Sequence, residues 1–236
     1  MLAGQFVKTA AEAQGLAEVA VLEAEGNAFR VRAAFLDELG AAFFRRQLEA
    51  LIAFVKNRYA ARYAKRYKKT AFTLNETYTY ADVCRLLDWP RQLSGQNIGG
   101  YFFEKTTRTL PVFINYEKAK EAIPYEDRFL SPRELIALSK TKRRTDSPDA
   151  RHIFQWDAAE AQNRLYLFVR RNKDDKEAKS FYFLGEIKAD QTEGPIPVLL
   201  PPAQPDGKPV NAFEIRYRLE TPVSAALYHY LTAGEL

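Results

Sequence analysis

The feature that most constrains this chain is a change of hydrophobic pattern near Pro90. After that residue, apolar positions concentrate in four short runs rich in aromatic and β-branched residues, at 110–116, 164–170, 180–187 and 212–219. Runs of this length, separated by polar or Pro- and Gly-rich segments, predict β-strands. A long charged segment lies between the second run and the third. These two runs are expected to pair as one long hairpin, with the charged segment as its tip. The second part of the chain is therefore expected to be mainly a sheet.

The first part of the chain has a helical pattern. Between Ala33 and Lys69, large apolar residues recur at three- and four-residue steps, and Gly40 is expected to divide the stretch into two helices. Tyr59, Tyr63 and Tyr67 are four residues apart and share one stripe. This stripe either packs onto the rest of the fold or lies along a nucleic-acid backbone.

Three shorter helices are predicted further on. Thr79 is a suitable N-cap for one of them, with Asp82 in its first turn. The run 131–135 has serine, proline and glutamate in the order of a capping box, so a second helix is expected to begin there. A third covers 223–231, and the Pro- and Gly-rich stretch 190–208 is expected to be a loop.

Composition excludes several classes of protein. Cys84 is the only cysteine, so an internal disulfide is impossible, and with only His152 and His229 beside it a zinc site is not expected. No apolar run approaches the length of a membrane span, and no secretory signal is recognisable. The sequence therefore predicts a cytoplasmic protein without a metal, a cofactor or a membrane partner.

Positive charge is concentrated in two clusters, although the formal net charge is only +5. Residues 56–69 contain seven basic residues and no acidic one, and a second basic cluster lies at 140–144. Such clusters favour binding to nucleic acid, with a solvated basic face as the alternative. The candidate phosphate contacts are Lys140, Lys142, Arg143, Arg144, Arg62, Lys65, Arg66, Lys68 and Lys69.

The segment around Gly99 and Gly100 is the other candidate for function. Adjacent glycines permit backbone conformations and close approaches that other residues do not. Asn97 precedes them and Tyr101 follows, so the segment has the amide and the ring needed to hold a planar ligand such as a nucleobase. A hairpin with an aromatic core is the alternative interpretation.

Seven stretches carry a family resemblance, and in chain order they are 80–89, 96–101, 111–116, 125–132, 167–170, 181–186 and 219–231. On these residues, the chain from Tyr78 onward resembles a C-terminal helicase-associated domain, long catalogued as of unknown function. That domain occurs in SauUSI-type, modified-cytosine-dependent (type IV) restriction enzymes, behind phospholipase-D-type nuclease and superfamily II helicase modules. The stretch 33–51 is similar to the segment that joins such domains to the helicase.

This resemblance implies an α+β fold. The change of pattern along the chain divides it into a helical N-terminal arm or linker at 1–70 and a β-rich module at 71–236. The resemblance implies that this module is a curved, mainly antiparallel β-barrel of the SRA/PUA-like type with short flanking helices. It also implies that the domain recognises 5-methyl- or 5-hydroxymethylcytosine in double-stranded DNA by base flipping. Helicase and nuclease modules, in cis or in trans, would be its partners in phage defence.

A flipped cytosine needs aromatic rings and an acceptor for its N4 amine, and a carboxylate is the natural acceptor. We expect Asp127 to be that acceptor and Tyr125, Tyr101 and Tyr116 to supply rings, with Gly99 and Gly100 admitting backbone amides. A turn or capping carboxylate is the alternative role of Asp127. Ala137 stands where members of the resembled family tend to have tryptophan, and ligand preference is expected to differ here if that ring lines the pocket.

The chain itself is expected not to be an enzyme, because it lacks a phosphate-binding Walker loop and a His-x-Lys nuclease motif. One enzymatic alternative stays open. Pro148-Asp149 and Glu186-Ile187-Lys188 fit the loose pattern of magnesium-dependent nucleases, in which two carboxylates hold the metal and a lysine orients water. A second alternative is a module that docks onto a helicase.

Overall fold

The computed structural model describes residues 21–26, 28–93, 95–117, 127–157, 162–172, 179–202 and 207–232. Six helices lie in this part of the chain: α1 (Ala33–Glu38), α2 (Ala42–Arg62), α3 (Tyr80–Leu86), α4 (Gly95–Ile98), α5 (Pro148–Phe154) and α6 (Ala225–Thr232). Its ten strands are β1 (Leu22–Glu25), β2 (Ala28–Val31), β3 (Thr77–Tyr78), β4 (Thr109–Glu117), β5 (Arg128–Ser131), β6 (Glu134–Leu138), β7 (Arg164–Asn172), β8 (Phe181–Ala189), β9 (Ile196–Leu200) and β10 (Val210–Leu219).

Eight strands form one mixed, mainly antiparallel sheet, in which six follow the order β4-β7-β8-β10-β6-β5. The pair β4–β7 is parallel, and every other pairing in the sheet is antiparallel. Strand β3 pairs with β8 and strand β9 pairs with β10, at the sides of this path. The strands expected from the sequence are confirmed, including the hairpin of β7 and β8.

The sheet is open, because within the described residues its edge strands β4 and β5 do not pair with each other. The predicted closed barrel is therefore not confirmed. The edges nevertheless meet through side chains, since the rings of Tyr116 and Phe129 stack at 5.6 Å and the Phe129 amide donates to the Tyr116 hydroxyl oxygen. One apolar core fills the concave face between β4–β7–β8 and β10–β6–β5.

A second core covers the other face of β4, β7 and β8. Phe72 is fully buried at its centre, with ring centroids 4.8 Å from Phe183 and 5.0 Å from Tyr78. Tyr67 belongs to this core, and Tyr63 packs against it. Two of the three striped tyrosines thus pack onto the fold. Both faces of β7 are consequently buried, which matches its unbroken apolar run.

Two helix predictions are confirmed in detail. Thr79 caps α3 as one half of a capping box, in which the Asp82 amide donates to the threonine hydroxyl and the Asp82 carboxylate accepts from the Thr79 amide. Gly40 lies in the break between α1 and α2. Helix α6 lies where the last helix was expected.

Two predictions about local structure were wrong. The run 131–135 does not open a helix, because β5 ends at Ser131, the chain turns, and β6 begins at Glu134. Leu135 and Ala137 are buried in alternation with less buried neighbours, and pairing with β10 outweighs the local capping signal. The stretch 190–208 is not entirely a loop, since β9 pairs with β10 and accommodates Pro197 within a strand that has no second partner in the described residues.

The helical arm proposed for residues 1–70 is not confirmed. Helices α1 and α2 are present, but β1 and β2 form a two-stranded hairpin before them, and residues 1–20 lie outside the described residues. In the described part of the chain, no helix is both long and apolar enough to cross a lipid bilayer.

Replacing Phe72 by alanine should lower the free energy of unfolding by about 3–5 kcal/mol, because it empties the centre of the second core. The matched control is Phe43→Ala on α2, where the ring is 69% exposed, and it should change stability by about 0.5 kcal/mol or less. Urea unfolding of both variants measures this, and equal losses would contradict the assignment of the core.

Candidate nucleic-acid interface

A cleft of about 280 Å³ lies where β4, the α4–β4 connection, the segment after β6 and helix α5 meet. It brings residues from the glycine segment next to residues of the second basic cluster. The side chains that define its chemistry are those of Asn97, Tyr101, Phe103, Lys140, Arg143, Asp149 and His152.

The glycine pair sets the position of Tyr101. Helix α4 ends at Ile98, and Gly100 has a φ of +78°, a left-handed conformation that glycine adopts without strain. The Gly100 carbonyl accepts a hydrogen bond of 2.6 Å from the Phe113 amide on β4, and Tyr101 forms a bridge to Val112. The turn is therefore fixed to the edge strand, and the Tyr101 ring enters the core.

The Tyr101 hydroxyl is the hub of a hydrogen-bond network. It donates to Asp149 Oδ2 at 3.0 Å and accepts from the Lys140 amide at 3.3 Å. Arg143 Nε donates to the same Asp149 oxygen at 2.6 Å. Burial, together with the Asp149 charge, raises the pKa of Tyr101, and the bond to Asp149 raises the pKa of Arg143. The tyrosine thus stays neutral and the arginine charged.

The cleft also contains a lysine and a histidine, and burial acts against the charged form of each. Burial lowers the pKa of Lys140, whose ammonium lies 5.3 Å from the centre of the Tyr101 ring. His152 stacks on Phe103 with ring centroids 3.9 Å apart, and burial lowers the pKa of its imidazole. Lys105 lies on the same rim, and its charge acts in the same direction on His152.

The charge balance of the lining favours an anionic ligand. Lys105, Lys140 and Arg143 face a single carboxylate, Asp149, which is already paired with Arg143. Aromatic and amide side chains lie beside these cations. A phosphate next to a planar group is the ligand that this combination suits.

The predicted base-pocket residues are only partly brought together. Asn97 and Tyr101 line the cleft, and a Cβ added to Gly100 would lie 3.6 Å from Lys140. Gly99 precedes Gly100 in the same turn. Tyr116 instead lies in the concave core, stacked on Phe129. Tyr125 lies outside the described residues.

Asp127 has a structural contact and does not line the cleft. Its Oδ1 accepts a hydrogen bond of 2.9 Å from the Leu138 amide, which is at the end of β6. The contact joins the residue that precedes β5 to the end of the neighbouring strand β6.

The predicted phosphate contacts also divide into two groups. Lys140 and Arg143 line the cleft, and Arg144 lies with Arg143 on the adjoining groove beside β9. Lys142 is exposed between them, with a φ of +62°. This second cluster therefore forms one continuous basic edge.

The first basic cluster is partly engaged within the chain. Arg62 pairs with Glu76 at 2.7 Å, and Lys68 pairs with both Glu186 and Glu220. Arg66 donates to the hydroxyl of Tyr59. Lys65 and Lys69 are exposed. Arg62 therefore joins the end of α2 to the segment before β3, and Lys68 joins the segment after α2 to the sheet.

The residues of the nuclease pattern have separate partners. Asp149 pairs with Arg143 in the cleft, whereas Glu186 pairs with Lys68, and Lys188 lies 4.5 Å from the centre of the Trp156 ring. Among the residues that the structure describes, no group of three or more His, Cys, Asp or Glu side chains is placed to hold a metal ion. This geometry gives the nuclease alternative no support.

Sequence reasoning missed Phe103, Lys105 and His152 as members of the cleft. Phe103 follows the glycine pair closely, and that nearness was the available signal. The sequence suggested only a metal-binding role to weigh for His152, and its position beside Phe103 depends on contacts between distant parts of the chain.

The fold and cleft define an α+β module with an open, curled sheet and a basic, aromatic-lined cleft near one edge. Residues 72–231 match the family described as domain of unknown function DUF3427, and the chain belongs to that family. No curated protein matches the chain.

Stability should fall as the pH is lowered through about 6.5, the ordinary pKa of histidine. Because the folded protein lowers the pKa of His152, the unfolded chain binds a proton more readily, so the contribution of neutral His152 is present above that pH and lost below it. Urea unfolding across this range should show a smaller loss for His152→Gln. Identical pH profiles for the two proteins would contradict the burial of this imidazole.

Proposed function

We propose that this protein is a DNA-binding recognition module that reads a C5-modified cytosine in double-stranded DNA. In this proposal it is the target-recognition part of a modification-dependent (type IV) restriction system, and nuclease and helicase modules in cis or in trans supply the catalysis. Its place of action would be the cytoplasm.

One observation carries the proposal. The glycine segment and the second basic cluster were identified separately, as a base-binding and a phosphate-binding element, and both line one cleft. The Lys140 amide donates to the hydroxyl of Tyr101, which lies 39 residues earlier in the chain. A nucleotide needs both kinds of group within a few ångströms of each other.

The chemistry of the cleft suggests which groups would read the base. Flipping a nucleotide costs a few kcal/mol of unstacking, which stacking on an aromatic ring offsets. Phe103 and its partner His152 offer such a surface, and Asn97 is exposed on the rim. Asp149 lines this cleft, unlike Asp127, and is therefore better placed to accept from the cytosine amine. The hydrogen bonds from Tyr101 and Arg143 both end on the same Asp149 oxygen, Oδ2.

Docking onto a helicase is the second candidate function. It is favoured by helix α2, whose 21 residues include none that is buried. Exposed apolar surface of this extent is typical of an interaction site.

Arg144→Gln should weaken binding to every duplex alike and reduce the slope of log K against log salt by about 0.9, the value for one lost phosphate contact. Arg144 is exposed on the basic edge, and its ion pair with Asp146 is also exposed. The control Arg218→Gln removes an exposed arginine that lines a different cavity and should leave the slope unchanged. Gel-shift titrations at several salt concentrations measure both, and a salt-independent wild-type affinity would contradict the proposal.

Asn97→Ala should reduce the preference for modified cytosine while leaving general binding nearly intact, because the side chain lies on the cleft without a structural partner among the described residues. The assay compares matched duplexes that contain cytosine, 5-methylcytosine, 5-hydroxymethylcytosine or 6-methyladenine. The wild-type protein should bind the modified-cytosine duplex about tenfold more tightly than the unmodified one, and in Asn97→Ala this ratio should fall towards one. A change of this size lies within the range of a single base contact.

The matched control for this test is Gln96→Ala, a neighbouring exposed amide that does not line the cleft. This variant should keep the preference for modified cytosine. A wild-type protein that binds all four duplexes equally would contradict recognition of a modified cytosine, even if it binds DNA.

A further inference from the structure

Helix α2 presents an apolar face that the described part of the chain leaves uncovered. Its 21 residues make about six turns and a length of about 31 Å. Phe43, Leu51, Phe54 and Val55 are each more than half exposed. Such side chains are normally buried in a folded protein or at an interface.

The apolar residues have the spacing of a helix-packing surface. Leu48, Leu51, Val55 and Tyr59 follow one another at steps of three or four, so they form one stripe along the helix. With 3.6 residues per turn, the large apolar residues of α2 occupy about half of its circumference. This geometry suits a second helix lying alongside.

The charges of α2 determine what kind of helix would fit. The helix contains five basic residues and one acidic residue, Glu49, and of the basic residues only Arg62 has an ion pair in the described part of the chain. Arg45, Lys56 and Arg58 are exposed. A second copy of α2 would bring like charges together, which disfavours self-association, whereas glutamates and aspartates flanking an apolar stripe would be attracted.

We propose that the apolar face of α2 binds an acidic amphipathic helix of a partner protein. This inference rests on the docking candidate above and names the chemistry of the partner. The attachment of α2 supports it. The Arg62–Glu76 pair and the packing of Tyr63 on Tyr78 fix the end of the helix to the domain, and Phe44 contacts Phe35 of α1. Within the described residues, none of the side chains of α2 is buried.

The probe is a synthetic peptide about 21 residues long, with leucine at heptad positions a and d and glutamate at e and g. The control peptide has lysine in place of every glutamate. Fluorescence anisotropy with the whole chain should show binding of the acidic peptide and at least about tenfold weaker binding of the basic peptide. Equal binding of the two peptides, or no binding of the acidic one, would overturn the proposal.

The variant Leu51→Glu places a charge in the apolar stripe and should weaken binding of the acidic peptide by about tenfold or more. The matched control is Ala53→Glu, which adds the same charge to the polar side of the same helix and should weaken binding by less than about threefold. Circular dichroism checks that both variants keep their helix content. Equal weakening by the two variants would show that charge alone drives binding and would overturn the proposal.

Two further measurements separate the alternatives. Sedimentation of the wild-type protein should show a monomer. If it shows a dimer, and Leu51→Glu dissociates that dimer, then a second copy of the chain occupies the apolar face and the proposal is overturned. The affinity for duplex DNA should be unchanged in Leu51→Glu. Because the cleft and α2 are tested by different variants and probes, failure of one proposal is distinguishable from failure of the other.

Discussion

The structure depends on the burial of both faces of its central strands. Strand β7 contributes Leu165, Leu167 and Val169 to the concave core and Tyr166 and Phe168 to the core on the opposite face. Removing this much apolar surface from water is the dominant favourable contribution to folding. It also explains why the sheet curls, because its outer strands fold over the concave core until Tyr116 and Phe129 stack. The cleft lies near the edge β4, where the ends of several elements meet.

The cleft contains buried polar and charged groups, and their burial is unfavourable unless the fold supplies partners for them. Tyr101 is buried with its hydroxyl between a carboxylate and a backbone amide, and Lys140 is partly desolvated above its ring. The Asp149 carboxylate offsets part of the positive charge and keeps Arg143 in place. A ligand phosphate would place negative charge beside Lys140 and Arg143, and the attraction between these charges would favour binding. An anionic ligand would therefore meet groups that the fold already holds in place.

Local patterns predicted the elements whose stabilising contacts are local. The capping box of Thr79 and Asp82 lies within four residues, and the strands follow from their apolar runs. The helix expected at Ser131 failed because its competitor, pairing of β6 with β10, involves residues more than 70 positions away. The lining of the cleft was only partly predictable for the same reason. Tyr101 and Lys140 were each predicted, but the hydrogen bond between Tyr101 and Asp149, which are 48 residues apart, depends on the complete sheet.

The central claim is that nucleic acid binds in the cleft between the glycine segment and the second basic cluster. The most direct test is an NMR titration of the labelled protein with a duplex containing 5-methylcytosine, with the backbone amides of Gly100, Tyr101, Lys140 and Arg143 as reporters. The account predicts that these amides shift most, and that an unmodified duplex shifts them less at the same concentration. Shifts confined to residues remote from the cleft, or no shifts at low salt, would contradict it.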